Sequence, residues 1–250
     1  MRGFTQGNGG VLVHLHNVSG GVVAGDQLAL NVDIAAGAIA QITTTGATRL
    51  YRHRAGSEDS EQRTEISIGE AALLEYLPDP IIPYAGARHI QRTEIRLAPA
   101  SMLFWWEVLA PGRQAAGERF AFDRLGLQTR IMSETRLVLC ENFLIEPFAK
   151  AIGVTARMER FSWTASFCVC HEGRSQVFWR DLENQLNELA RDRTQKNEVI
   201  WGASALARDG IIVRGLSVSS RFIHGSLVEF WRVARRAVTG EEPVLPRKVY

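Results

Sequence analysis

The chain has 250 residues, of which 46% are hydrophobic and 22% are charged, and its formal net charge at pH 7 is +2. This composition supplies a packed core and excludes the charged, weakly hydrophobic class of disordered chains. The charge excess is too small, and the arginines are too scattered, to indicate a nucleic-acid partner. No apolar run is long enough to cross a membrane, and the N-terminal sequence lacks the apolar stretch of a secretory signal. Three cysteines suit no closed disulfide framework, so we expect a cytoplasmic protein.

The first part of the chain predicts short strands separated by glycine turns. Residues 11–16 alternate in polarity, and His14 and His16 at i and i+2 of a strand would share a face. They are either a pair of metal ligands or two ordinary histidines on a lightly packed face. The glycines of residues 20–26 favour a tight corner over a phosphate-binding loop, because no helix follows them. The alternating stretch 27–34 then predicts a half-buried strand.

A degenerate repeat with a period of roughly 30 residues runs through the first half of the chain. Each copy has an apolar–polar–apolar strand, a small-residue corner and a more apolar strand, with corners at 36–38, 69–71 and 99–101. Stacked units of this kind bury together a face that none of them can bury alone. We therefore predict a mainly β fold, a helicoidal or solenoid-like stack of many strands. No linker-like stretch divides it, so residues 1–250 are interpreted as one domain.

Two helices are predicted, both in the C-terminal third. Leucines recur at helical spacing after Asp181, which is placed as an N-cap for the first helix. The second helix is predicted to begin at Ser226, with Glu229 at the spacing of a capping box. Gly240 is placed to end this last helix near the C-terminus.

The sharpest cluster of metal-ligand residue types is Cys168, Cys170 and His171. Both thiolates would face one side of a strand, and with the imidazole they make a soft ligand set suited to zinc or nickel. Two small thiols buried in a strand explain the pattern equally well. The sequence contains no Walker A, GxSxG or HExxH motif.

The carboxylates offer a second group of candidates. Glu107 ends a very apolar strand, so its head group is either buried and paired or directed at an aqueous passage. Arg113 and Arg119 are its obvious local partners. Asp26, after the glycines, and Asp79, in a proline-rich loop, are plausible turn-forming residues.

Several segments together resemble the urease accessory protein D family, which is named H in some organisms. They are SGGVVAGDQL, TTTGATRLYR, EYLPDPIIPYAGAR, FWWEVLAPGRQAAGERF and a C-terminal helix followed by PRK. The resemblance implies a predominantly β, helicoidal fold with two helices. It also implies a cytoplasmic, non-enzymatic scaffold that acts with accessory proteins F and G, of which G is the GTPase. These proteins bind apo-urease and help deliver nickel, so no tightly bound cofactor is implied and Ni²⁺ is cargo in transit.

The resemblance also makes four carboxylates stronger candidates for contact with the nickel cargo. Asp26, Asp79, Glu107 and Glu118 fall within the matching segments, and family members are thought to pass nickel through a water-filled tunnel lined by polar and acidic groups. Carboxylates and water hold a divalent cation loosely enough to release it, whereas thiolates would retain it. The four carboxylates are therefore the predicted nickel passage, and the cysteine cluster is the weaker alternative.

Other interpretations remain beside this one. Family members usually begin well before the segment that corresponds to Val11, so the resemblance implies that the usual N-terminal strands are missing here. A rival function is a β-solenoid hydrolase that acts on a polysaccharide through paired carboxylates such as Asp79 and Glu107. Trp105 and Trp106 could supply its sugar platforms, although their run is too apolar for both to be exposed. A β binding module without metal is the third interpretation.

Overall fold

The computed structural model describes residues 2–6, 9–154 and 157–246. These residues form a mainly β structure with two helices, which confirms the predicted class. The strands are β1 (Arg2–Thr5), β2 (Val11–Leu15), β3 (Gln27–Ile34), β4 (Ile39–Thr44), β5 (Thr48–Leu50), β6 (Ser60–Ile68), β7 (Leu73–Tyr76), β8 (Ile81–Pro83), β9 (Arg88–Leu97), β10 (Met102–Leu109), β11 (Arg124–Ser133), β12 (Arg136–Ile145), β13 (Trp163–His171), β14 (Val199–Ala205) and β15 (Gly210–Ser217). The helices are α1 (Gln176–Arg193) and α2 (His224–Thr239).

The strands form two open sheets. In the large sheet the order is β1-β2-β4-β7-β10-β13-β15-β14, with β5 and β8 paired beside β10. In the small sheet the order is β12-β11-β9-β6-β3. Because neither sheet closes on itself, the architecture is layered rather than a barrel.

The predicted repeat is a winding of the chain between the two sheets. Strands β3, β6 and β9 of the small sheet lead into β4, β7 and β10 of the large sheet, and successive strands pair in parallel. Equivalent residues stack across the small sheet, as in the row Val32, Ile66, Ile95 and Ile131. The corners pack closely, since a Cβ on Gly69 would lie 2.7 Å from the backbone nitrogen of Ala36. The small corner residues in the sequence therefore mark contacts between successive coils.

Two of the three apolar clusters among the described residues lie on opposite faces of the large sheet because of its pleat. Successive side chains of a strand point to opposite faces. Leu103 and Trp105 of β10 pack toward the small sheet, whereas Phe104 and Trp106 pack beneath the two helices. Neither of the described helices has the length and apolar composition needed to cross a membrane.

Helix α1 begins six residues earlier than predicted, because its N-cap is Ser175 and not Asp181. Ser175 is its N-cap, and the Ser175 hydroxyl accepts a hydrogen bond from the backbone N–H of Phe178 at 3.3 Å. Trp179 is buried and extends the apolar face back before the leucines. The N-cap prediction at Asp181 is therefore wrong, because the buried tryptophan and not the first leucine opens the apolar stripe.

Helix α2 also begins before its predicted start, and the capping box is wrong. The Ser226 hydroxyl donates to the carbonyl of Phe222 at 2.8 Å, inside the helix rather than at its cap. Glu229 instead pairs with Arg193 of α1. The predicted end is confirmed, since Gly240 caps the helix with a φ of 77°.

Candidate functional site

A cavity of about 550 Å³ lies between the two sheets. Three of the four carboxylates in the predicted passage line it, namely Asp26, Asp79 and Glu107. The glycine corner at 15–22 and the loop at 44–49 form much of its wall. The fold therefore brings these three acidic positions, which are far apart in the sequence, to one internal space.

Glu107 points into this space from the end of β10. Its Oε2 accepts a hydrogen bond from Nε2 of Gln91 in the facing small sheet at 2.7 Å. Burial, together with the charge of Glu141, raises the pKa of Glu107 to about 8. The predicted pairing with Arg113 or Arg119 is wrong, because the pleat directs Glu107 between the sheets, whereas both arginines belong to the loop after β10. The Glu107 carboxyl is therefore mostly neutral at pH 7.

Asp26 and Asp79 combine a turn-forming contact with a place at the cavity. Oδ2 of Asp26 accepts a hydrogen bond from the backbone N–H of Val23 at 3.0 Å. The Thr44 hydroxyl donates to Oδ2 of Asp79 at 3.0 Å and accepts from the backbone N–H of Asp79 at 2.8 Å. Asp26 and Asp79 therefore both form turn contacts, as predicted, and both also line the cavity.

Glu118 is not among the residues that line the cavity. It forms an ion pair with Arg113 and accepts a hydrogen bond from the backbone N–H of Ala85 at 3.1 Å. The guanidinium of Arg113 also lies 4.2 Å from the centre of the Tyr84 ring. The hydrogen bonds from Arg113 hold the pKa of Glu118 below its ordinary value. Glu118 therefore belongs to a surface ion pair outside the cavity.

The cysteine cluster is split by the pleat of β13. Cys168 and Cys170 are buried on one face with their Sγ atoms 3.6 Å apart. The contact with Cys170 and burial raise the pKa of the Cys168 thiol. His171 is the next residue along the strand, and its Nδ1 accepts a hydrogen bond from Nε of Arg174 at 2.9 Å. Within residues 2–6, 9–154 and 157–246, no three His, Cys, Asp or Glu side chains converge on a common point for a metal ion.

The two N-terminal histidines do not form a pair on one face. Strand β2 ends at Leu15, so the alternation does not extend to His16. His14 is buried with its ring centre 5.3 Å from that of Phe4. His16 is exposed and lines the cavity.

A band of polar side chains, missed by the sequence reasoning, continues from the cavity through the space between the sheets. In the large sheet, register partners at the level of Glu107 are polar on β13 and β15. In the small sheet, one row of register partners is polar on β6, β9, β11 and β12, and each of its side chains is buried. We call these residues the polar layer: Glu107, Ser166 and Arg214 from the large sheet, and Thr64, Thr93, Thr129 and Glu141 from the small sheet.

The polar layer ends at an ion pair that joins the two sheets. Nη2 of Arg214 lies 2.7 Å from Oε1 of Glu141, and Nε of Arg214 donates a hydrogen bond to the same oxygen at 2.8 Å. The Glu141 side chain is 7% exposed and that of Arg214 is 53% exposed, so this end reaches solvent through the arginine. The other end meets the cavity at Thr93 and Glu107. One signal could have revealed the layer, since RTEI occurs at both 63–66 and 92–95 and places a threonine at the same point of two coils.

The chain matches a known protein family along nearly its whole length. A family model described as UreD urease accessory protein matches residues 2–250. The chain belongs to the UreD urease accessory protein family. This confirms the resemblance found in the sequence segments, and it assigns the chain a role in urease maturation.

Curated UreD proteins match along most of their length. The urease accessory protein UreD of Herpetosiphon aurantiacus is 40% identical over 250 residues, which are 100% of this chain and 87% of the relative. The UreD protein of Bacillus sp. strain TB-90 is 30% identical over 236 residues, or 94% of this chain and 84% of the relative. The UreD protein of Corynebacterium glutamicum ATCC 13032 is 31% identical over 256 residues, or 98% of this chain and 86% of the relative.

A second buried polar group anchors the last helix of this UreD chain. Glu75 of β7 accepts hydrogen bonds from Nε of Arg235 at 2.9 Å, from Nε1 of Trp231 at 3.0 Å and from Nε2 of Gln41 at 2.8 Å. Burial raises the pKa of Glu75, and the charge of Arg235 opposes that rise. Gln41 also donates to the carbonyl of Val244, beyond α2. This network fixes α2 and the segment after it against the large sheet, on the opposite face from the polar layer.

Proposed function

We propose that this UreD chain is a non-catalytic, cytoplasmic scaffold in urease maturation. In this proposal it acts with accessory proteins F and G, G being the GTPase, on apo-urease. Nickel passes through the chain along the polar layer, entering or leaving at the cavity lined by Asp26, Asp79 and Glu107. Family membership supports the maturation role. The observation that carries the nickel passage is the continuity of polar side chains between the cavity and the Arg214–Glu141 pair.

The chemistry of the polar layer suits a cation that must keep moving. Its ligand atoms are hydroxyl and carboxyl oxygens, which exchange readily with water around a divalent cation. A neutral Glu107 forms no deep electrostatic trap at pH 7, while an arriving dication would favour its ionised form. The pKa of the Cys168 thiol is raised, and both Cys168 and Cys170 are fully buried, so the cargo meets no exposed thiolate at this pair.

A polysaccharide hydrolase is the rival candidate, because Asp79 and Glu107 do line one cavity. Such an enzyme needs aromatic side chains that are open to a sugar. Trp105 is 2% exposed and Trp106 is 4% exposed, so neither offers a platform. The burial of both rings supports the scaffold over the hydrolase.

The proposal is tested by co-expressing the chain with accessory proteins F and G and apo-urease, then measuring nickel per urease active site. Glu107→Ala should leave the complex intact and lower the nickel content of urease. Glu118→Ala is the matched control, because this carboxylate lies outside the cavity, and it should load nickel normally. Full loading with Glu107→Ala would remove Glu107 from the passage. Folded wild-type chain that binds neither accessory protein would contradict the scaffold and call for a polysaccharide screen.

A further inference from the structure

We infer that Arg214 is a counter-ion gate at the outer end of the polar layer, which must leave Glu141 before a divalent cation can pass. The inference rests on the nickel passage proposed above and adds a residue that controls its rate. It predicts that replacing Arg214 and replacing Glu141 have opposite effects on the rate of nickel transfer.

The position of Arg214 leaves it free to swing outward. Its register partner on the edge strand β14 is Gly202, and a Cβ built there would meet no heavy atom within 4 Å. The strand next to Arg214 therefore presents no side chain and open space at this register position, and about half of the Arg214 side chain is exposed. Glu141, by contrast, is held on the inner face of the small sheet between Thr129 and the end of the layer. The partner with room to move into solvent is therefore the arginine.

The charges at this end make the arginine an obstacle to a cation. Glu107 and Glu141 are close enough for the charge of Glu141 to raise the pKa of Glu107. Arg214 neutralises Glu141 while it is bound there. A dication that approaches Glu141 is repelled by the guanidinium and competes with it for the same oxygens. Moving Arg214 into solvent restores a carboxylate that attracts the cation.

The two variants that each remove one charge of the pair should change the rate of nickel transfer in opposite directions. Arg214→Gln removes the obstacle and leaves the attracting carboxylate, so transfer should become faster. Glu141→Gln removes the carboxylate and leaves an unneutralised guanidinium at the outer end of the layer, so transfer should become slower. A pair with only a structural role would behave differently, because breaking it from either side exposes one uncompensated charge and loosens the fold.

The experiment measures the initial rate of urease activation after Ni²⁺ is added to the complex of this chain with accessory proteins F and G and apo-urease. We expect Arg214→Gln to raise the rate by about two- to ten-fold, and Glu141→Gln to lower it by a similar factor. Arg193→Gln is the matched control, since the Arg193–Glu229 pair is also part-exposed but joins the two helices away from the layer. Thermal midpoints of all three variants are recorded beside the rates.

The outcomes separate the inference from the function on which it rests. If wild-type chain loads nickel and Glu107→Ala slows it, but Arg214→Gln is unchanged or slower, the gate is wrong and the passage survives. Slower transfer in both pair variants with lowered thermal midpoints likewise overturns the gate and makes the pair structural. If Glu107→Ala has no effect, the passage fails and the gate fails with it. Acceleration by Arg214→Gln together with slowing by Glu141→Gln supports the gate.

Discussion

Replacing Glu107 with glutamine should change how the stability of the chain depends on pH. The amide keeps the size of the side chain and an oxygen that can accept the hydrogen bond from Gln91. In the wild type, the folded state holds the Glu107 proton up to a pKa of about 8, whereas the ordinary value is 4.5. The folded state therefore binds more protons than the unfolded state between these two values. Consequently the wild-type free energy of unfolding falls as pH rises through this window and is constant, with respect to this group, above it.

The size of the effect follows from the same two values. At about 1.4 kcal/mol per pH unit, the interval from 4.5 to about 8 sets a ceiling of about 5 kcal/mol. Water in the open cavity screens part of this cost. We expect Glu107→Gln to gain about 2 to 4 kcal/mol over the wild type as pH rises from about 4.5 to 8.

The assay is urea unfolding at a series of pH values, followed by tryptophan fluorescence. Glu118→Gln is the control with the opposite sign, because Arg113 lowers the pKa of Glu118. The stability that Glu118 contributes is present above the ordinary pKa and is lost only as pH falls through the lowered value, so its variant should show no gain between pH 5 and 8. A constant difference between Glu107→Gln and wild type across this range would refute the reasoning.

Two further predictions concern groups outside the polar layer. Arg235→Met leaves Glu75 buried without its cation and should cost about 3–5 kcal/mol in urea unfolding; adding Glu75→Gln should recover part of that loss, and no recovery would contradict the buried ion pair. In the folded chain a maleimide should modify Cys140, which is exposed, and spare Cys168 and Cys170, which become reactive only on unfolding. Mass spectrometry of intact protein counts the adducts, and rapid modification of all three thiols in the folded state would contradict the packing of β13.

The winding of the chain was predictable because its signals are local. Each coil carries its own alternation and its own small-residue corner, so the repeat is visible without knowing any contact across the fold. Strand 27–34 was predicted with the bounds that β3 has. Helix starts were less accessible, since α1 begins where Trp179 meets the sheet and no local signal distinguishes that tryptophan from a surface residue.

The polar layer depends on pairings that no local pattern shows. Glu107 bonds to Gln91 across the gap between the sheets, and Glu141 meets Arg214 at a separation of 73 residues. Two of the three named partners of Glu75, Trp231 and Arg235, come from α2, up to 160 residues away. Nearby arginines were the natural partners to expect for Glu107, but the direction of the pleat, and not distance along the chain, decided the contact. Three of the four acidic positions singled out through the family resemblance line one cavity, and Glu118 does not.

The most direct test of the nickel passage is to block the polar layer without changing its charge. Thr93→Leu places an apolar side chain where Thr93 lines both the cavity and the layer. Ile95→Leu is the control, because it introduces the same leucine at the next position along the same face of β9, in the apolar row, without changing the number of side-chain atoms. We predict that both variants assemble with accessory proteins F and G and apo-urease, and that only Thr93→Leu lowers nickel per urease active site. Full nickel loading by an intact Thr93→Leu complex would contradict a passage through this layer.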